Sequence, residues 1–186
     1  MLDHKVAFRY AKSIAGLAQE KGILDEVHQD MLLFSHTCQA NSELRAMLRN
    51  PIITHSKKNA VIKALFTNRM NAMTLALFDL IGKKHREASL EGIATEFHLL
   101  YNSIQGIQNA EVITAVAIDD QMRAGFVEAV KAMSGKARVE LKEKLDPELI
   151  GGFVLRVGDR QVDDSVRNRL SDLRMLFSHN PYIKEF

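Results

Sequence analysis

Leu145-Asp146-Pro147-Glu148-Leu149-Ile150-Gly151-Gly152-Phe153-Val154-Leu155-Arg156-Val157-Gly158-Asp159-Arg160-Gln161-Val162-Asp163-Asp164-Ser165-Val166 reads as turn, strand, tight turn, short strand and helix start. Asp146-Pro147 favours a turn, because proline fixes one dihedral and aspartate bonds the local backbone. Gly151-Gly152 opens backbone angles closed to other residues. Phe153 to Val157 is apolar and β-branched enough for a buried strand. Gly158-Asp159 suits a two-residue hairpin loop. Asp163, Asp164 and Ser165 each offer an N-cap for a helix with Val166, Leu170, Leu173 and Phe177 on one face.

Working back from this stretch, Ala110 to Ile118 is rich in β-branched residues and reads as a strand. Asp119 or Asp120 caps a helix carrying Met122, Phe126, Ala129, Val130 and Met133 on one side, and Gly135 ends it. Ala137, Val139 and Leu141 alternate with Arg138, Glu140 and Lys142, a strand with one wet face. Residues 106–186 are therefore expected to form a small α/β domain of about four strands and two helices. Its tail, with Tyr182, Ile183 and Phe186 after Asn180-Pro181, is expected to leave the last helix and to need a covering surface.

Residues 1–105 have helical period throughout, and six helices with short links predict an all-α bundle. The first runs from about Lys5 to about Lys21. Its apolar arc, including Phe8, Tyr10, Ala11, Ile14 and Leu17, is wider than the ~100° that a surface helix needs. Either several neighbours of its own bundle cover it, or one face lines a groove for a partner. The fifth, capped by Asn71, is apolar almost all round: Met73, Leu75, Ala76, Leu77, Phe78, Leu80 and Ile81. Such a helix must be covered on most sides. The chain as a whole is expected to be α+β, a helical bundle followed by a small α/β domain.

Composition bounds the function. The 186 residues suffice for one large or two small domains, and 46% hydrophobic content supports a core. A net charge of +2 demands neither nucleic acid nor acidic lipid. One cysteine, Cys38, cannot form an internal disulfide, which suits a reducing compartment. No apolar run approaches the ~20 residues of a bilayer span, and the N-terminus lacks the apolar core of a secretory signal. A soluble cytosolic protein is expected.

A search for chemistry finds little. There is no phosphate-binding Gly-x-x-x-x-Gly-Lys-Ser/Thr, no His-Glu-x-x-His and no paired Cys-x-x-Cys. His36 and Cys38 supply two potential zinc ligands where three or four are normal. Asp163 and Asp164 suit capping better than acid/base work, and Lys83-Lys84-His85-Arg86 reads as a solvated corner beside a helix C-terminus. No catalytic residue, cofactor-binding residue or metal ligand is assigned, and no cofactor is expected. Two classes stay open on these grounds: a structural connector, and a small enzyme or RNA-associated factor without a recognisable site.

The motifs add a resemblance. Leu149-Ile150-Gly151-Gly152, Arg156, Gly158-Asp159, Asp163, Ser165-Val166, Leu170 and Leu173 resemble the C-terminal signature of the ATP synthase delta subunit family, whose mitochondrial members are the oligomycin-sensitivity-conferring proteins. Arg9-Tyr10-Ala11 and Asn50-Pro51 resemble its N-terminal patterns. Asp164 and Asn168 depart from the glycines common there. The resemblance implies a non-catalytic brace in the peripheral stalk, at the cytoplasmic face of a bacterial inner membrane. It implies that the bundle grips the N-terminal helix of an alpha subunit between its first and fifth helices; Tyr10, Ala11, Ile14, Leu75, Phe78 and Asp79 are the residues expected there. It further implies that the C-terminal domain engages the b-subunit stalk, with Leu170, Leu173 and Phe177 expected at that contact. On this reading Ile14→Asp should weaken the alpha contact and leave the bundle folded.

Overall fold

The computed structural model describes residues 2–178; the expected covering of Tyr182, Ile183 and Phe186 lies outside them. The chain divides into two compact units at Ile104/Gln105.

The first unit contains α1 (Leu2–Glu20), α2 (Leu24–Ala40), α3 (Ser42–Arg49), α4 (His55–Phe66), α5 (Ala72–Lys83) and α6 (Leu90–Ile104), with a 3₁₀ turn at Glu87–Ser89. The 3₁₀ turn leads directly into α6. Ala7, Ala11, Ala15 and Ala18 recur every three or four residues along α1 and are all buried. Their size lets α6, the most extensive neighbour of α1, approach closely. A Cβ placed on Gly92 of α6 would lie 3.5 Å from Ala7 Cβ. Phe34 of α2 anchors the far side of the core, with ring centroids 5.7 Å from Phe66 and 4.8 Å from Phe78. Such tilted aromatic packing adds to plain burial.

Cys38 belongs to the same core and is fully buried. Burial pushes its thiol up to about 11; the nearby Glu91 charge adds to the rise and Arg45 opposes it. The nucleophilic thiolate is therefore scarce at neutral pH, and reagent cannot reach it. Iodoacetamide is expected to leave the native chain unmodified and to label Cys38 stoichiometrically in urea, as read by mass spectrometry. Rapid labelling of the native chain would contradict this core placement.

The second unit contains β1 (Ile107–Thr114), α7 (Asp120–Ser134), β2 (Arg138–Leu145), a 3₁₀ turn at Pro147–Leu149, β3 (Phe153–Val157), β4 (Arg160–Asp163) and α8 (Val166–Ser178). The sheet order is β2-β1-β3-β4. β1 and β2 are parallel, so the chain must cross over between them, and α7 makes the crossing. β3 runs antiparallel to both β1 and β4. Side-chain alternation divides the apolar residues between two faces. Val112, Leu155 and Val157 join Phe126 and Val130 of α7 in one cluster. Ile113 and Val154 join Leu149 in a smaller one on the other face. The first strand begins three residues earlier than its β-branched run and stops at Thr114. There the Thr114 hydroxyl donates to the Val116 carbonyl at 2.7 Å, a local bond that turns the chain away from the sheet. Asp119 caps α7 through the Met122 amide at 2.7 Å.

Candidate interaction surfaces

The helical unit carries an open groove of about 840 Å³ between α1 and α5. Tyr10, Ile14, Leu17 and Lys21 form one wall, with Ser13 beside them; Met73, Ala76, Leu77 and Leu80 form the other. Ile23, Asn71 and Ala72 close one end. Both walls follow three- and four-residue steps, the repeat of a single helix face. Tyr10 to Lys21 spans about 16 Å at the helical rise, the length of about three turns. The lining is mainly apolar, and Leu17 and Leu80 remain 44% and 49% exposed. One stripe of α1 is thus sealed by alanines within the bundle while another stays open.

The six residues expected at this contact are not all brought together. Tyr10 and Ile14 line the groove. Ile14 is only 4% exposed, so it serves the core as much as the surface. An aspartate there would enter the core, and Ile14→Asp is therefore a change that breaks the fold rather than one that reports on binding. Ala11 and Phe78 are sealed in the core, and Leu75 is half-buried against it. Asp79 turns elsewhere: it accepts from Asn59 and pairs with Lys83 at 2.8 Å and Lys63 at 3.8 Å. Those hydrogen bonds, from Lys83 first and then Asn59, hold its carboxyl below the usual range.

The other apolar groove residues of α1 and α5 belong to the surplus apolar surface that the sequence displays, but they are not among the six residues expected at the contact. On α1 the further residue is Leu17, three positions beyond Ile14. On α5 the residues that line the groove are Met73, Ala76, Leu77 and Leu80, whereas Leu75, Phe78 and Asp79 do not. The basic corner also contributes. Arg86 lies 5.8 Å from the centre of the Tyr10 ring and donates to its hydroxyl at 3.3 Å. A guanidinium over an aromatic face is held there electrostatically, which orients Tyr10 at the groove's other end.

In the second unit Gly151, Gly152, Asp163 and Ser165 of the signature build one joint. Gly152 has φ +74, and a Cβ on it would overlap the Asp164 carbonyl oxygen. The Val166 amide donates to the Gly151 carbonyl at 3.0 Å, and the Asp164 amide donates to the Phe153 carbonyl at 2.9 Å. Ser165 is fully buried and caps α8 by accepting from the Asn168 amide at 3.1 Å. Asp163 accepts from the Ser165 amide at 3.0 Å. Arg156 joins three strands, donating to Glu111 of β1 at 3.3 Å and to Gln161 of β4 at 3.0 Å. Gly158 turns β3 into β4 with φ +58, and Asp159 beside it is exposed. Asn168 makes its cap bond through its backbone, so a side chain there is no obstacle.

The Asp163 carboxyl is held below the ordinary aspartate range by its bonds to the Ser165 side chain and backbone, with Arg167 a smaller cause. A depressed native value stabilises the fold above the unfolded value, and that contribution is lost as pH falls through the native one. Asp163→Asn keeps an acceptor without the charge. Its stability deficit relative to the parent chain is expected to shrink as pH falls below the ordinary aspartate value and through the lowered native one, read by urea unfolding. A deficit independent of pH would refute this.

α8 presents Leu170, Leu173 and Phe177, exposed by 52%, 48% and 85%. None of its described residues is buried. Among the described residues no helix is long and apolar enough to cross a membrane, and no three His, Cys, Asp or Glu side chains could share a metal ion. His36 is exposed on α2 while Cys38 points into the core, so the two do not converge.

Comparison with known proteins agrees with this architecture. The family model for "ATP synthase delta (OSCP) subunit" matches residues 6–176. ATP synthase subunit delta of Cytophaga hutchinsonii is 40% identical over 178 residues, covering 96% of this chain and 97% of that protein. The same subunit of Desulforamulus reducens is 36% identical, covering 94% and 96%. In fold, the chain resembles one in the cryo-EM structure of the Toxoplasma gondii mitochondrial ATP synthase hexamer, with a TM-score of 0.77 at 19% identity over 94% of this chain and 98% of that one. A family match across both units, with relatives matching over nearly the full length, places this chain in the ATP synthase delta (OSCP) subunit family, the non-catalytic stator subunits of the peripheral stalk.

Proposed function

We propose that the α1/α5 groove holds the N-terminal helix of an alpha subunit and that the C-terminal unit grips the b-subunit stalk. The chain then ties the catalytic head to the membrane-anchored stalk at the cytoplasmic face of the membrane. The observation that carries this reading is the open apolar groove, with walls spaced for a helix of about three turns. An amphipathic helix laid in it would gain affinity by burying Leu17 and Leu80. The exposed stripe of α8 supports the second contact, since a helix with no buried residue of its own gains by being covered.

The role is mechanical. Two attachments on one chain make the second effectively intramolecular, so moderate affinities combine into firm retention. The test is calorimetric titration of the full chain with a synthetic peptide of the alpha subunit's N-terminal segment. Saturable binding of one peptide per chain is expected. No binding of that peptide, where the intact catalytic head still captures the chain, would sink the groove assignment.

A further inference from the structure

We infer that Asp30 of α2 is a positioning residue for the groove, setting where the α5 wall begins. The inference rests on the groove reading above. Asp30 is buried, and one of its carboxylate oxygens, Oδ2, accepts two bonds: from the Asn71 backbone amide at 2.8 Å and from the Thr74 hydroxyl at 2.6 Å. Asn71 is the N-cap of α5; its side-chain oxygen accepts from the Met73 amide at 2.9 Å. Its side-chain nitrogen donates to Glu26, one turn before Asp30 on α2, at 2.8 Å. Two α2 carboxylates thus hold a single cap.

The location gives these bonds their meaning. Asn71, Ala72 and Met73 close and line one end of the groove. A carboxylate at the start of a helix also complements the positive end of its dipole. Among the described residues the bonds to Asp30 come from N–H and O–H donors. Apolar packing is non-directional, whereas hydrogen bonds converging on one oxygen fix both the distance and the rotation of the first turn of α5. Displacing that turn by about 1 Å would shift Met73 and Ala76 against the opposite wall and spoil the fit of an occupant.

Asp30→Leu removes both bonds, while Asp30→Asn keeps an oxygen able to accept them. Peptide affinity is measured per folded chain by calorimetry, stability by urea unfolding, and protection of the Asn71 amide by hydrogen exchange. Asp30→Leu is expected to lower affinity for the alpha-segment peptide about tenfold or more and to expose the Asn71 amide. Asp30→Asn is expected to restore most of the affinity. A folded Asp30→Leu chain that binds like the parent overturns the inference, even if it is less stable. Should Asp30→Leu fail to fold, Thr74→Val removes one of the two bonds and is read the same way: loss of affinity supports the role and unchanged affinity overturns it. Leu17→Asp is run alongside. If it does not weaken binding, the groove reading itself falls; if it does and the Asp30 and Thr74 variants bind normally, only the positioning role falls.

Discussion

Gly152→Ala is expected to destabilise the C-terminal unit by about 3 kcal/mol or more, enough to unfold much of a small α/β domain. Two costs add. At φ +74 any side chain is strained. The new Cβ would also overlap the Asp164 carbonyl, which is backbone and cannot rotate aside. Relief would require moving the segment that starts α8, and with it the Val166 bond to Gly151 and the Ser165 cap. The helical unit shares none of these contacts. Limited proteolysis is expected to degrade the variant beyond about residue 105 while sparing the bundle, because cleavage follows the population of open forms. Equal protease resistance in parent and variant would show that the joint tolerates a side chain. Gly151→Ala is the milder control, since its added Cβ would meet only the Val166 side chain, at 3.2 Å.

Leu17→Asp and Leu80→Asp are expected to weaken binding of the alpha-segment peptide by about 100-fold or more, with little change in stability. The magnitude follows from placing an unpaired carboxylate against the apolar face of an occupant. The small stability change follows from exposure: both residues are nearly half open in the free chain, so an aspartate there stays solvated until something binds. The two leucines stand on opposite walls, so agreement between the variants separates a groove from a one-sided patch. Circular dichroism in urea checks the fold and calorimetry the affinity. Full affinity in both variants would overturn the proposed alpha contact in this groove.

The two walls also explain which parts of the site could be read from the sequence. On α1 the polar residues Lys5, Arg9, Lys12 and Gln19 set a phase that leaves Tyr10 and Ile14 on an apolar side, and both line the groove. That side is nonetheless wide enough to hold two faces. Only the packing of Ala7, Ala11, Ala15 and Ala18 in the core shows which part is taken. On α5 nearly every residue is apolar, and periodicity without polar punctuation has no phase. Leu75, Phe78 and Asp79 are therefore displaced from the open face, and a tertiary neighbour such as Phe34 decides which residues turn inward. Asp30 gave no local signal, because its partners lie 41 and 44 residues away. The C-terminal joint was more legible. Glycine, aspartate and serine at fixed offsets act through short-range backbone geometry, which a sequence displays directly. The end of β1 was not, since Val116 and Ile118 are as β-branched as the strand before them.

The sheet order has a kinetic side. β1 is the first strand to be made, yet it lies between β2 and β3, and its antiparallel partner is not complete until Val157. A growing chain must therefore hold this strand without its mate while α7 and β2 are still being added, and pairings of this range form slowly. The helices before Ile104 face no such wait, because their contacts lie within a segment already synthesised. During synthesis the bundle is thus expected to mature first, and the sheet closes only after β3 and β4 have been made.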